Sequence, residues 1–558
     1  MGSEMCIRDR VMITCFNIAF RYEYYMRAYF AIDKPFEYIA GVILLVLILE
    51  ASRRTVGWVF PILTIAILGY CFLGHLIPGY WGHGEISYKL LLQILYQSDT
   101  GMWGLITGII ASLVTIFILF GALLQYTGGG KTFIKLSQII AGRYKGGPAM
   151  VAVIASALFG SISGSTIANV ATTGNFTIPM MKKLGYPREF AGGVESAAST
   201  GGNIMPPIMG AAAFIMAELL GIPYLSVCLA ATLPAILYFS SVFAQVRFEA
   251  VKLNLRAIPQ DEIPKLNEII KWNMLAPLFI PVGVLIIFLF RGYDPYRACF
   301  YAFVVAIALY MFTDFSLQGW VQRFNNIIGA LEKGVAALVG IIPVLVCAQI
   351  FVSLLSLSGL GSKFSALIIS LSGQKLFLGL VFTAMISLIL GMSLPTTAAY
   401  LLATSVAASA LVSIGIDPLS AHLFIFYFAI ISALTPPVCI AAFTAAAIAQ
   451  TDWIKIAWVA VRLSIVSYIM PFLFIYNPVF LLRGEIFDII LAVLTAFMGV
   501  LFLSSGIIGY FSTRIPIIVR LSFISGGIFL FLPSLNTTLI ALPLIGAGLV
   551  ITKFSRIS

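Results

Sequence analysis

Long apolar runs alternate with short polar turns through most of the chain. A run of about 20 apolar residues suffices to cross a bilayer as a helix. On that basis the pattern predicts spans at about 37–50, 56–73, 103–126, 224–245, 274–290, 298–312, 335–356 and 456–478, and three more at about 486–508, 516–532 and 537–552. Arg21, Glu23 and Arg27 interrupt residues 11–34, which suit an interfacial helix or the stump of a lost one. Residues 74–102 read as a polar, aromatic loop holding His75, His83 and Glu85.

Two stretches depart from this rhythm. Gly160–Pro207 contains GSISGSTIANVATTGNFTIPMMKKLGYP and ends in STGGNIMPPIMG, small and hydroxyl-rich inside an apolar chain. Irregular backbone survives in hydrocarbon only where protein packs it or a cavity solvates it. Gly160, Gly164, Gly201, Gly202, Pro206 and Pro207 predict a hairpin over about 148–183 and a helix broken in the middle over about 189–220. Freed carbonyls and the hydroxyls of Ser161, Ser163, Ser165 and Thr166 are hard oxygen donors suited to a small cation. The same composition also suits close helix packing.

The second stretch is a copy of the first. Gly160 pairs with Gly391 and Pro187 with Pro418, both 231 positions on, and Pro206–Pro207 pair with Pro436–Pro437 at 230. LLQYTGGGKTF (Leu123–Phe133) lines up with LLSLSGLGSKF (Leu354–Phe364) at the same 231. The order helix, glycine turn, amphipathic arm, hairpin and broken helix therefore recurs, with a second hairpin over 376–415 and a second broken helix over 418–449. Packing alone does not require the pairing, whereas paired interruptions in two halves mark the binding site of a transporter.

Composition narrows the class. The 558 residues are 61% hydrophobic and 10% charged, and the mean hydropathy is +1.04, which defines a polytopic all-α membrane protein. The net charge of +11 lies in short inter-helix loops and gives no reason to expect nucleic acid. Seven scattered cysteines without a CxxC and three dispersed histidines indicate neither a disulfide framework nor a metal cluster, so no cofactor is expected beyond a coupling ion. TGGGKT looks like a phosphate loop, but Gln125 stands where the first glycine belongs, and no ATPase is indicated. MGSEMCIRDR, residues 1–10, differs in character from the rest of the chain and reads as a non-native scar, so that natural N-terminal sequence is expected to be missing.

Charge also orients the halves. The first arm and hairpin exit carry Lys131, Lys135, Arg143, Lys145, Lys182, Lys183 and Arg188, against Lys363 and Lys375, plus Asp417, in the matching second segments. The positive-inside rule then opens the first hairpin to the cytoplasm and the second to the outside, so the repeats are expected to be inverted.

These motifs carry a resemblance. GSISGSTIANVATTGNFTIPMMKKLGYP, GNIMPPIMGAAAFIMAELLGIPY and GMSLPTTAAYLLATSVAASALV with AHLFIFYFAIISALTPPVCIAAFTAAAIA resemble the large membrane subunit of tripartite ATP-independent periplasmic (TRAP) transporters, over about residues 103–478. LEASRRTVGW and the C-terminal extension look like the fused small-plus-large permeases of the TAXI branch. The dicarboxylate branch usually carries an Asp shortly after the second hairpin's Gly–Met; here the run is Gly391–Met392–Ser393–Leu394–Pro395–Thr396–Thr397.

The resemblance implies a layout: small-subunit-like helices over 11–102, a transport domain over 103–478 with inverted repeats at about 103–246 and 334–478, and a three-helix membrane extension over 479–558. It implies an elevator-type, sodium-driven importer of a small organic anion such as a carboxylate, in a bacterial or archaeal inner membrane. A periplasmic substrate-binding protein would deliver the anion. One sodium site would use Ser161, Ser163, Gly164, Gly202 and Asn203, and a second Ser393, Thr396, Thr397 and Thr435. The anion would lie between the tips, near Ser165, Thr166, Thr397, Pro207 and Pro437, where half-helix N-termini favour negative charge.

Two other residues stand out. Glu195 is an acid inside an apolar helix, which costs about 2.5–3.5 kcal/mol on insertion scales, so it should face a cavity or a partner. It is either functional or a hydrogen-bonded structural acid, and His422 reads as a packing histidine. A stand-alone sodium–carboxylate symporter needs no binding protein, and the accessory helices speak against it. An intramembrane enzyme would need a nucleophile and base or paired metal ligands, yet His422 is alone in the spans and neither HExxH nor GxSxG occurs.

Overall fold

The computed structural model describes residues 2–27, 35–269, 271–312, 317–392, 394–532 and 535–554. Among these residues the regular structure is helical, apart from an isolated bridge between Tyr510 and Arg514. Seven helices are long and apolar enough to cross a membrane, and the bent pair Trp453–Leu463 and Ile465–Tyr476 makes an eighth if it counts as one span. The chain is an all-α polytopic membrane protein. It forms two compact units, residues 1–118 with 334–415, and residues 119–333 with 416–558.

In the first unit, helices Pro35–Val56 and Val59–Leu73 fall where the apolar runs place them. The N-terminal helix runs over Gly2–Arg27, further than the interruptions at Arg21, Glu23 and Arg27 suggest. Its polar residues are tied inward: Arg21 Nη1 and Tyr25 OH reach Glu37 Oε1 at 3.0 and 2.8 Å, and Gln97 Nε2 donates to Glu37 Oε2 at 3.1 Å. Glu37 is 1% exposed, so these bonds replace its water. The expected loop 74–102 contains a helix, Tyr88–Tyr96. Ser87 caps it by accepting from the Leu90 N–H, and Leu91, Leu95 and Tyr96 form its buried stripe, a short 3.6-residue period that the surrounding polar residues masked.

Helix Leu317–Ser358 is one 42-residue element where an amphipathic segment and a separate span were expected. Pro343 is its single internal proline, and its span-forming part is more apolar than the preceding turns. From Gly334 on it belongs to the first unit, where Gln349 Oε1 accepts from the Ile106 N–H at 3.0 Å and Gln349 Nε2 donates to the Thr100 carbonyl at 2.9 Å. The arm Leu360–Ser372 and the hairpin Leu376–Gly391 plus Thr396–Ser413 complete this unit.

The second unit is built around Arg188–Gly201, in which every residue from Phe190 to Gly201 is buried. Most of its residues are small, and Glu195, Ser196 and Ser199 find hydrogen-bond partners within the protein, so the helix can lie in an interior. Its glycines set the spacing: a methyl on Gly192 would lie 2.5 Å from Ile456 Cδ1, and one on Gly193 2.4 Å from Val459 Cγ1. Close backbone approach through small residues is how helices pack where apolar burial gives no advantage over lipid. The hairpin arms Gly147–Ser163 and Thr166–Lys183, the long helix Tyr224–Lys252 and the second broken helix, Pro418–Ile431 with Ile440–Ala449, lie in the same unit. Helices Ile486–Ile508, Ile517–Leu530 and Leu535–Phe554 form a C-terminal layer whose Phe502, Val519, Phe523 and Ile545 make a core of their own.

Candidate functional site

The first hairpin turns at Gly164 and Ser165. Gly164 has φ 57° and its N–H closes on the Gly160 carbonyl at 3.1 Å, which ends the first arm. Ser165 is extended and caps the second arm, its hydroxyl accepting from the Ala168 N–H. The helix Arg188–Gly201 tightens over Gly202–Ile204 and gives way to irregular backbone before Ala211–Leu220 resumes. The Pro206–Pro207 bond in this gap is cis, as is Pro436–Pro437 in the second break.

Tip and break meet backbone to backbone. A methyl on Gly160 would lie 2.2 Å from Gly202 Cα, and one on Gly164 2.5 Å from Gly210 Cα. The Ile208 N–H donates to the Ser161 carbonyl at 3.2 Å, and Asn203 Nδ2 donates to Thr166 Oγ1 at 3.0 Å. The structure thus brings together Ser161, Gly164, Thr166, Gly202 and Asn203 around one crossing. Ser161 turns its hydroxyl back onto the Leu158 carbonyl. Tyr224 OH donates toward the Pro207 and Ile208 carbonyls at 2.6 and 2.8 Å, which ties the break to the helix Tyr224–Lys252.

Two hydroxyls here have no hydrogen-bond partner. Ser163 Oγ and Thr200 Oγ1 are both buried atoms without one, and Thr200 is 1% exposed. Buried polar groups are nearly always paired, by protein, water or an ion, so these two hydroxyls are open to a further partner. Thr200 was not singled out in the sequence, because a Thr in the last turn of a small-residue helix looks like packing.

Glu195 is 0% exposed and held by hydroxyls from three helices: Ser156 at 3.1 Å, Ser199 at 2.9 Å, and Thr173 and Thr177 at shorter range. Asn169 braces the same region, its amide donating to the Ser156 carbonyl at 3.0 Å. Gly174 leaves room for the acid, since a methyl there would lie 3.1 Å from Glu195 Cγ.

The second-half residues divide between the units. Thr396 and Thr397 begin the second arm of the second hairpin in the first unit, both half-buried, and Ser393 lies outside the described residues. Thr435 belongs to the second unit, where its hydroxyl bonds the Ile431 carbonyl at 2.9 Å and Tyr468 OH at 2.7 Å. Pro437 is exposed and, with Phe443 and Trp453, lines an apolar cavity of about 440 Å³. His422 is half-buried on the otherwise tightly packed helix Pro418–Ile431. Among the described residues no group of three or more His, Cys, Asp or Glu could hold a metal ion.

Hairpins, broken helices and neutral oxygen donors at a tip are the apparatus of a secondary carrier. Residues 43–489 match the family described as Tripartite ATP-independent periplasmic transporter, DctM component, and the chain belongs to that family. It is therefore a multi-pass inner-membrane transport protein and not an enzyme. The chain is 25% identical over 334 residues to the 2,3-diketo-L-gulonate TRAP transporter large permease protein YiaN of Escherichia coli, covering 58% of this chain and 74% of that one. It is 24% identical over 372 residues to the C4-dicarboxylate TRAP transporter large permease protein DctM of Pseudomonas aeruginosa, covering 64% and 83%. Among solved structures it shares its fold with the YdaH transporter of Alcanivorax borkumensis, at a TM-score of 0.52 and 17% identity over 76% of this chain and 98% of that one.

Proposed function

We propose that this permease imports a small organic anion, a carboxylate, by sodium symport, and that a periplasmic binding protein delivers the substrate. The observation that carries the reading is the first tip and its break, where the buried hydroxyls of Ser163 and Thr200 lack partners and Gly160 meets Gly202. Neutral oxygen donors suit a monovalent cation, whereas a proton needs a titratable group, and no acid or histidine lies between Ser161 and Thr166.

Ser161, Ser163, Gly164, Gly202, Asn203 and Thr200 are then the sodium ligands of the first half. Ser393, Thr396, Thr397 and Thr435 keep the sodium role that the TRAP resemblance gives them. Ser165, Thr166, Thr397, Pro207 and Pro437 are the candidates for contact with the anion. The relatives' names speak for 2,3-diketo-L-gulonate and C4-dicarboxylates as their own substrates. The accessory helices and LEASRRTVGW favour the TAXI type with a fused small subunit, and the paired hairpins favour an elevator motion.

The deciding experiment is uptake of a panel of radiolabelled carboxylates into proteoliposomes. The protein should transport only with its binding protein present and an inward sodium gradient. Robust uptake by the permease alone would identify a stand-alone symporter.

A further inference from the structure

The Glu195 cluster lies outside the residues assigned above to sodium and anion. The acid sits on the helix that carries Thr200, Gly202 and Asn203 at its end, and its partners come from both arms of the first hairpin. A buried carboxylate needs a compensating charge. None of the basic groups on the surrounding helices supplies it. Lys182 donates to the Ala449 carbonyl and Arg188 to the Gln450 carbonyl. Lys183 pairs with Glu262, and Arg462 and Lys252 with Glu249. Arg247 lies over the Tyr144 ring and Lys455 is exposed. Of the other titratable groups, Tyr238 donates to the Ala197 carbonyl, Tyr224 to the Pro207 carbonyl, the Cys228 thiol points to Pro207, and Glu189 stands in the first turn of the acid's own helix. The arm Gly147–Ser163 and the half-helix Ile440–Ala449 contain no charged residue.

The cluster's oxygens are spaced for hydrogen bonds: Ser199 Oγ and Ser156 Oγ stand 2.9 and 3.1 Å from Glu195 Oε1, and Ser156 Oγ lies 3.1 Å from Thr173 Oγ1. A carboxyl proton joins such a network without displacing an atom. The proton count agrees. Thr173 and Thr177 hydroxyls also approach the Asn169 and Thr173 carbonyls at 2.8 and 3.0 Å, and each hydroxyl has one proton to give. A carboxyl proton relieves that shortage.

The repeat shows that the hairpin architecture does not require the acid. At the 231-residue offset Ser156 becomes Ser387 and Thr173 becomes Thr404, but Glu195 becomes Phe426. Ser387 is 0% exposed and its hydroxyl has no hydrogen-bond partner.

From this geometry we propose that Glu195 is a proton-binding site of the carrier, loaded as a neutral carboxyl when the first hairpin closes on it and emptied when the hairpin parts from it. The step is R–COO⁻ + H⁺ to R–COOH and back, with water as the proton's source and sink. It stands independently of the sodium reading, and the proton adds a second coupled ion.

The test is infrared difference spectroscopy of the purified full-length protein, which needs no substrate. Wild type should show a protonated-carboxyl band near neutral pH that falls reversibly as the pH is raised, with the fold intact. Glu195→Gln should remove that band and Glu189→Gln should keep it. A band that persists until the protein unfolds would make Glu195 a structural bolt. No band, or the same titrating band in Glu195→Gln, would equally overturn the proposal.

Discussion

Gly160 and Gly202 touch so closely that a methyl group on Gly160 would stand 2.2 Å from the Gly202 Cα. The obstacle is backbone, so no rotamer change relieves it. Gly160→Ala should therefore part the hairpin from the break, with an overpacking cost of about 1–3 kcal/mol. A lower thermal midpoint in detergent and loss of uptake are expected. Gly283→Ala, where nothing lies within 4 Å, is the control and should leave both unchanged.

Ser163→Ala and Thr200→Ala remove the two buried, unpartnered hydroxyls near that crossing. With no internal hydrogen bond to lose, neither change should lower stability. If the hydroxyls ligate sodium, each loss should cost about 1 kcal/mol of binding, several-fold in the sodium concentration for half-maximal uptake. Sodium titration of uptake measures this, and an unchanged half-maximal concentration in both variants would remove them from the site.

The inverted repeat expects Lys183 and Lys375 on opposite faces of the membrane. Both are exposed; Lys183 ends the first hairpin and Lys375 precedes the second. Single cysteines there should react with an impermeant reagent from opposite sides, Lys183→Cys from the cytoplasm. Labelling of both from one side contradicts the inverted repeat.

Asp417 gives a pH dependence. Partial burial works against its charge, but the backbone N–H and hydroxyl of Ser420 and the Arg483 guanidinium at 2.9 Å outweigh it and hold the carboxyl below its ordinary value. A folded-state value below the unfolded one stabilises above the unfolded value of about 3.9 and is lost as the pH falls through the folded value. The pair is half-exposed, so its worth is about 1 kcal/mol or less. Asp417→Asn should lower the thermal midpoint slightly at pH 7, and the difference should shrink toward zero below about pH 4.

Much of the fold was legible because its signals are local. Gly164, Pro206 and Pro207 end helices by their own stereochemistry, and repetition at 231 residues gave each signal a second reading. What stayed hidden depends on contacts distant in sequence. Thr200 is an ordinary helical Thr until its hydroxyl is found without a partner. Glu195 reads as a costly acid, and the four hydroxyls that enclose it come from positions 4 to 39 residues away on three helices. Tyr88–Tyr96 was missed because nine residues carry too short a period to stand out beside polar neighbours.

Glu37 joins the N-terminal helix to the rest of its unit through Arg21 and Tyr25. That arrangement limits how the gene can be trimmed for expression or fused to a reporter. Cutting before residue 28 deletes both partners and leaves Gln97 alone to satisfy an acid that is 1% exposed. A shortened version should thus come out poorly folded or scarce in the membrane for a reason unrelated to transport, and a blank uptake assay on it would say nothing about the carrier.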